Sequence, residues 1–367
     1  MSENEKYKKE LEELRKDINK IDDQIIDLLN KRGEIALKVG NNKKLLDLDT
    51  YQPLREKEVI DRIKSKARIL KQENIEEIWK EIMGSCKVIQ GSVLKVGYLG
   101  PQGTFTHKAA LEFFPKSGTE FIPCKNTSEI FENIEKDILE FGVIAIENSL
   151  HGTVHENLDH LIEANILIFG ELELRIIQNL ISLKKSRLSD IENIYSHPQG
   201  FAQTQSWIKS NLPSAKLINT VSTAESVRMI KELNDEKNAA IGSEFANKVY
   251  NLQILSSNIE DNPLNFTRFL VISKKENELR EGKKVKTSLV YVTKHVPGAL
   301  YKVLKIFAEA DVNLTKIESR PRRRGRWEYI FLMDFEGDKE DQKIKEVLEK
   351  MSDLVIFYKI LGSYPIT

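Results

Sequence analysis

The sequence predicts a multidomain protein in which an all-α segment, an α/β segment and a ferredoxin-like α+β unit follow one another along the chain. Three observations carry this. Leu11, Leu14, Ile18, Ile21, Ile25, Leu28, Ile35 and Val39 recur at helical steps. Residues 95–273 alternate short apolar runs with amphipathic stretches. Residues 286–367 read β-α-β-β-α-β.

The first pattern implies one helix of about 35 residues, about 50 Å long at 1.5 Å per residue. Asp47–Gln52 breaks it, and Pro53 opens a second helix, where a missing N–H costs nothing. A third helix runs from Asn74 to Gln90. Two short helices cannot cover one so long, so a second copy of the chain is expected against it.

In the α/β segment the expected strands include Val96–Leu99, Phe121–Pro123, Gly142–Ile146, Ile194–Ser196 and Phe269–Ile272. Ligands of parallel α/β sheets sit outside the carboxyl ends of the strands. There lie Gly100–Thr104, Glu147–Ser149 and Ser196–Gln199, whose hydroxyls, amides and helix N-termini suit an anion. Lys274–Lys284 reads as a charged linker. The last unit is expected as strands Ser288–Thr293, Val312–Ser319, Trp327–Phe335 and Leu354–Leu361, with helices Pro297–Ala310 and Lys339–Met351. The expected domains are residues 1–92, 95–273 and 286–367.

Composition narrows the function classes. Lys plus Arg and Asp plus Glu each number 56 among 367 residues, so no global field favours nucleic acid or an anionic membrane. The start MSENEKYKKE has no apolar core, which argues against a secretion signal there. No apolar run approaches the ~20 residues of a membrane span. The two cysteines, Cys86 and Cys124, fall in different predicted domains, so no disulfide framework is expected. A cytoplasmic protein is the expectation.

Within the helical segment, Arg32 and Lys43 are 11 positions apart and share one face of the long helix. Arg15 is rotated about 100° from them and is better placed to reach the pocket of a partner copy. Cys86 and Gln90 share a face of the third helix, and Glu56 lies in the first turn of the second. Taken singly, each cation reads as a solvated surface group, but Arg32 and Lys43 interrupt a mostly apolar face. The stretches LRKDI, LLNKRGEIALKVGNNK, PLREKEVI and IWKEIMGSCKVIQ resemble the all-helical chorismate mutases. The resemblance implies that Arg32, and Arg15 from the other subunit, hold the carboxylates of chorismate. It assigns Lys43 and Gln90 to the ether oxygen and Glu56 to the hydroxyl. Gln52 stands where that family usually has Asp, and Cys86 where it usually has Ser. A unimolecular pericyclic rearrangement requires no base, nucleophile or cofactor, only a compact substrate conformer and stabilised oxygen charge.

In the α/β segment, Asn265-Phe266-Thr267-Arg268-Phe269 places a hydroxyl beside a permanent cation, which suits an organic anion or an edge strand. Read with GYLGPQGTFTHKAA, IAIENSLHGTVHENLDHL and YSHPQGFAQTQSW, it resembles prephenate dehydratase. That resemblance implies two α/β lobes with the substrate between them. It makes Thr267 the essential residue, with Glu147, Asn148, Ser196 and Gln203 as polar neighbours. Arg268 is a further candidate for the anion, although in a regular strand it faces away from Thr267. His151, His155 and His160 invite a metal reading, but no further His or Cys stands at close ligand spacing, so no metal is expected. Gly100–Gly103 is too short for a nucleotide loop.

In the last unit, Pro297-Gly298-Ala299-Leu300 opens the first helix and Glu318-Ser319-Arg320-Pro321 ends the second strand. Together they resemble the ACT domain of phenylalanine-regulated dehydratases. The implication is that phenylalanine contacts Gly298, Ala299, Leu300, Glu318, Ser319 and Arg320 between two copies. Four arginines in Pro321–Arg326 are read as a solvated turn rather than a nucleic-acid site. The whole order resembles the bifunctional chorismate mutase–prephenate dehydratases, acting as a homodimer or larger homo-oligomer under phenylalanine feedback. The competing reading is a non-catalytic amino-acid sensor, for which two complete polar constellations would be superfluous.

Overall fold

A computed structural model describes residues 3–46, 52–278, 280, 284–321 and 329–366. They form two compact units, one ending at Leu94 and including Pro115–Glu120, the other holding Lys95–Phe114 and Phe121 onward. Asp47–Tyr51 of the expected helix break, Arg322–Arg326 of the turn, Trp327, and positions 279 and 281–283 of the linker lie outside the described residues.

The first unit contains the helices α1 (Glu3–Leu45), α2 (Pro53–Lys64) and α3 (Gln72–Ile89). At 43 residues α1 exceeds its expected length, because the Glu/Lys-rich start, although lacking apolar periodicity, has high helix propensity. Pro53 stands in the first turn of α2 as expected. Ala36, Ile60, Met83 and Cys86 are buried among the three helices. The rest of the apolar stripe is open: Ile18, Ile21 and Leu28 are 56%, 55% and 63% exposed. Neither α2 nor α3 covers it. No helix among the described residues is long and apolar enough to cross a membrane.

The α/β part begins with β1 (Leu94–Leu99), α4 (Phe105–Phe113), β2 (Thr119–Cys124), α5 (Thr127–Glu135), β3 (Phe141–Asn148), β4 (Gly152–Thr153), α6 (His155–Glu163) and β5 (Leu167–Arg175). Crossing to a second lobe, the chain forms β6 (Asn179–Ser182), β7 (Asn193–Ser196), α7 (Pro198–Gln203), α8 (Gln205–Asn211), β8 (Lys216–Asn219), α9 (Thr223–Leu233), β9 (Asn238–Gly242), α10 (Glu244–Tyr250) and β10 (Gln253–Ser256). It then returns as β11 (Phe266–Ser273). Thr104, Asn126, Ser222 and Ser243 cap α4, α5, α9 and α10, each accepting a backbone N–H three residues on.

The first sheet has the order β2-β1-β3-β11-β5 with β4 on β3, and the second β10-β6-β9-β7-β8. Both are mixed rather than wholly parallel. β3 runs parallel to β1, but β11 is antiparallel to both β3 and β5. The reason is topological: the chain leaves the first lobe at the end of β5 and re-enters at that same end, so β11 must run back.

The last unit is β12 (Val285–Thr293), α11 (Ala299–Glu309), β13 (Leu314–Pro321), β14 (Tyr329–Glu336), α12 (Gln342–Ser352) and β15 (Val355–Pro365), in an antiparallel sheet ordered β13-β14-β12-β15. Alternation along β12 divides its residues between two cores. Leu289 and Tyr291 pack with Val303, Phe307 and Met351 under the helices. Val290 and Val292 pack with Ile168, Leu270 and Ile272 of the first α/β lobe. The ferredoxin-like sheet is therefore buried on both faces, one of them against the strands that carry Thr267.

Candidate active sites

In the helical unit, Arg32, Lys43, Gln52, Glu56, Cys86 and Gln90 line one cavity of about 330 Å³. Helical phase brings Arg32 and Lys43 there from α1, and α2, α3 and their cap residues Gln52 and Gln90 supply the rest. The Arg32 guanidinium donates to Cys86 Sγ. Glu56 is paired with Lys87 at 2.6 Å, a cation the sequence reading passed over although it neighbours Cys86 on α3. Arg15 is exposed and does not line this cavity, being about 26 Å along α1 from Arg32. With Arg55, Arg62 and Lys87 also in its lining, the cavity presents several cations and hydrogen-bonding side chains to a small anion.

In the α/β unit, β3 and β11 pair with Asn148 opposite Thr267 and Glu147 opposite Arg268. Asn148 Nδ2 donates to Thr267 Oγ1 at 2.9 Å, to Asn265 Oδ1 at 2.8 Å and to the Phe266 carbonyl at 3.1 Å. Its Oδ1 accepts from the backbone N–H groups of Leu150 and His151. Backbone donors on one side and a backbone acceptor on the other fix which way the amide points. Thr267 Oγ1 is thus an acceptor toward Asn148, which leaves its own hydrogen for another oxygen. Thr267 and Asn148 are both buried.

Arg268 points elsewhere. Its Nε donates to Glu171 at 2.6 Å, Nη1 to Asp334 at 2.8 Å and Nη2 to the Tyr364 hydroxyl at 3.0 Å. The expected opposition of Thr267 and Arg268 is present, and the pairing with β3 also slips directly after Arg268. Burial opposes the Arg268 charge, but Tyr364, Asp334 and Glu171 outweigh it and raise its pKa. Burial and then the Asp334 charge hold the Tyr364 phenol well above its ordinary value.

Ser196 ends β7, with its hydroxyl fully buried in the second lobe. Gln203 ends α7, where its Oε1 accepts from Gln178 Nε2 at 3.0 Å and its carbonyl from Asp261 N–H at 2.7 Å. Gln178 and Asp261 belong to the two segments joining the lobes. These segments are also tied by Ile176 N–H to Asn265 O at 2.7 Å and Ile259 N–H to Gln178 O at 2.9 Å. Gln203 and Thr267 therefore hang from opposite ends of one hydrogen-bonded double crossover. Gln178 was not singled out from the sequence, although it is a polar residue inside an apolar run, and Asn265 entered only as the first residue of the Asn265–Phe269 stretch.

Gly103 (φ +91°) lets the Gly100–Thr104 loop lie against Ala246 of the second lobe, where a Cβ would approach within 3.2 Å. His107, in α4, stacks on Tyr98 at 4.3 Å and accepts from Gly103 N–H through Nδ1. Burial lowers its pKa to about 4. The three histidines considered for a metal diverge. His151 Nδ1 meets Asn148 Oδ1 at 2.9 Å, His155 Nδ1 lies 3.7 Å from Glu318, and His160 Nε2 meets Ser128 Oγ at 3.0 Å.

In the last unit, Gly298, Ala299 and Leu300 line a cavity of about 410 Å³ with Tyr301, Tyr329 and Phe331. Glu318, Ser319 and Arg320 do not line it. Along β13 every second side chain, Lys316, Glu318 and Arg320, turns to the first α/β lobe. Glu318 accepts from Thr153 Oγ1, and Arg320 pairs with Asp159 at 2.6 Å and donates to the His155 carbonyl at 3.1 Å.

Three family models match in the same order: chorismate mutase type II over residues 14–91, prephenate dehydratase over 96–277 and the ACT domain over 287–353. Over 97% of this chain and 98% of the other, it is 40% identical to the bifunctional chorismate mutase/prephenate dehydratase of Aquifex aeolicus. The chain belongs to the bifunctional chorismate mutase/prephenate dehydratase family. The corresponding Pseudomonas aeruginosa enzyme is 36% identical over 97% of this chain and 98% of its own. The prephenate dehydratase of Arthrobacter aurescens, solved in complex with L-Phe, aligns with a TM-score of 0.68 at 31% identity, covering 74% of this chain and 90% of that one. Within the family frame, the helical cavity belongs to the mutase region, and the Asn148–Thr267 contact to the dehydratase region. The Gly298 cavity belongs to the ACT region.

Proposed function

We propose that this chain converts chorismate to prephenate in its helical unit and prephenate to phenylpyruvate in its α/β lobes, with phenylalanine as feedback inhibitor. Residues 1–92, 95–273 and 286–367 are the mutase, dehydratase and regulatory domains. The protein works in the cytoplasm as a homodimer or larger homo-oligomer, without a cofactor, and the open stripe of α1 is where a second copy packs and delivers Arg15.

In the mutase pocket, Arg32 and the second copy's Arg15 hold the two carboxylates, and Gln52 and Glu56 bind the hydroxyl. Lys43 and Gln90 stabilise the ether oxygen as its bond to carbon breaks, and Cys86 keeps the Arg32 guanidinium in place. In the dehydratase cleft the ring carboxylate leaves as CO2, its bonding pair enters the ring, and hydroxide departs and is protonated to water. Thr267 assists that departure by donating a hydrogen bond to the leaving oxygen. Ser196 and Gln203 orient the substrate from the second lobe, while Glu147, opposite Arg268 in the β3–β11 ladder, shares its face and pairs with Lys316 instead. Phenylalanine sits at Gly298, Ala299 and Leu300, with Glu318, Ser319 and Arg320 recruited between copies.

The observation that carries this reading is the Asn148–Thr267 contact, which commits the threonine oxygen as an acceptor and leaves its proton for the substrate. The test is turnover by the purified full chain: chorismate supplied alone should yield phenylpyruvate, and added phenylalanine should slow the second step. Phenylalanine binding without any turnover would favour the sensor reading instead.

A further inference from the structure

Among the ion pairs that join the C-terminal sheet to the dehydratase strands, two lie beside Thr267. Lys316 and Asp334 are cross-strand partners in the β13–β14 ladder, just as Glu147 and Arg268 are in the β3–β11 ladder. Side chains of directly opposed residues share a face, and here the two faces meet. Lys316 Nζ lies 2.7 Å from Glu147, Arg268 lies 2.8 Å from Asp334, and Arg268 also approaches Glu147 at 3.8 Å. The result is a clasp of two cations and two anions, alternating in sign. Lys316, Arg268 and Asp334 side chains are 11%, 13% and 2% exposed, so water screens them little.

The clasp is supported from behind. Asp334 also accepts from Ser288 Oγ at 2.6 Å, and Glu171 is bound by both Arg268 and Lys286 at 2.6 Å. It also adjoins the reacting group directly, since Glu147 precedes Asn148 and Arg268 follows Thr267. Each ladder slips register beside the clasp, between Arg268 and Phe269 in one and between Leu314 and Lys316 in the other. Buried ion pairs add little net stability over apolar packing, but removing one partner is costly, so they fix geometry better than they hold a fold together.

We propose that Lys316 and Asp334 are positioning residues of the dehydratase site. Through Glu147 and Arg268 they set the two strands on which Asn148 holds Thr267, and movement of the C-terminal sheet reaches dehydration along these two pairs. This rests on the dehydratase reading above. Neither residue touches the substrate, so loss of either acts on turnover rather than on prephenate binding.

The test compares full-length wild type with Lys316→Met, Lys316→Arg and Asp334→Asn. Dehydratase kcat should fall at least about tenfold in Lys316→Met and Asp334→Asn, with KM for prephenate within about threefold. Inhibition by phenylalanine should weaken about tenfold or more while its binding, followed by calorimetry, persists. Mutase activity should be unchanged, and Lys316→Arg should recover most of the dehydratase rate. If Asp334→Asn does not fold, the Lys316 series decides. Unchanged dehydratase kcat and inhibition in Lys316→Met overturn the proposal, as does a loss confined to KM. A wild type that does not dehydrate prephenate removes the underlying reading, a result distinct from active but unaffected variants.

Discussion

Thr267 and Arg268 are consecutive on β11, yet Asn148 of the same sheet holds one and Asp334 of the C-terminal sheet holds the other. Strand alternation makes this possible: Arg268 faces the C-terminal sheet, and Thr267 faces the other side, that of the proposed substrate cleft. A rotation of the strand that repacks Arg268 must also turn Thr267. In the proposed scheme, regulation and chemistry are one peptide bond apart.

Asn148→Ala should lower dehydratase kcat by about 10- to 100-fold. It strips Thr267 of the donor that orients its hydroxyl and leaves the buried Asn265 Oδ1 without its donor, at a cost of about 1–3 kcal/mol. Steady-state kinetics with prephenate measures this. A rise in KM at constant kcat would place Asn148 on the substrate instead.

Gly40→Ala should impair the mutase and spare the dehydratase. A Cβ at position 40 would stand 2.8 Å from Gln90 Cγ, so Gln90 must leave its place in the helical pocket. Misplacing one hydrogen-bonding group at about 1–3 kcal/mol of strain corresponds to roughly tenfold or more in rate. Chorismate consumption by the variant, with prephenate dehydration as internal control, reads the effect.

Acid should destabilise the α/β unit through His107. Burial holds its folded pKa at about 4, below the ordinary 6.5. The unfolded chain therefore takes up a proton as pH falls below about 6.5, while the folded chain resists until about 4. The contribution is present in full above the unfolded pKa and is lost as pH falls through that window, on the order of 3 kcal/mol in all. Tm followed from about pH 7 to 4.5 should fall less steeply in His107→Phe, which keeps the stack on Tyr98. Parallel slopes would contradict this assignment.

Much of this was legible because it is local. The stripe from Leu11 to Val39 specifies α1, and its lack of a covering partner was foreseeable from the shortness of the other two helices. The phase of Arg32 and Lys43 placed both in one pocket. The direction of β11 was not legible, since Phe269–Ile272 is the same apolar run in a parallel or antiparallel neighbourhood. Nor was the role of Arg268, whose partners Glu171 and Asp334 lie 97 and 66 positions away. Lys87 was nearer at hand, but on a charged helix nothing separates a cation that turns inward onto Glu56 from one that remains in water.

The most direct test of the central claim is the fate of chorismate in full-length Thr267→Val. Chorismate should disappear at the wild-type rate and prephenate should accumulate, while phenylpyruvate formation falls by at least about 10²-fold, as when a transition-state donor is removed. Phenylpyruvate appearing at the wild-type rate would contradict the account.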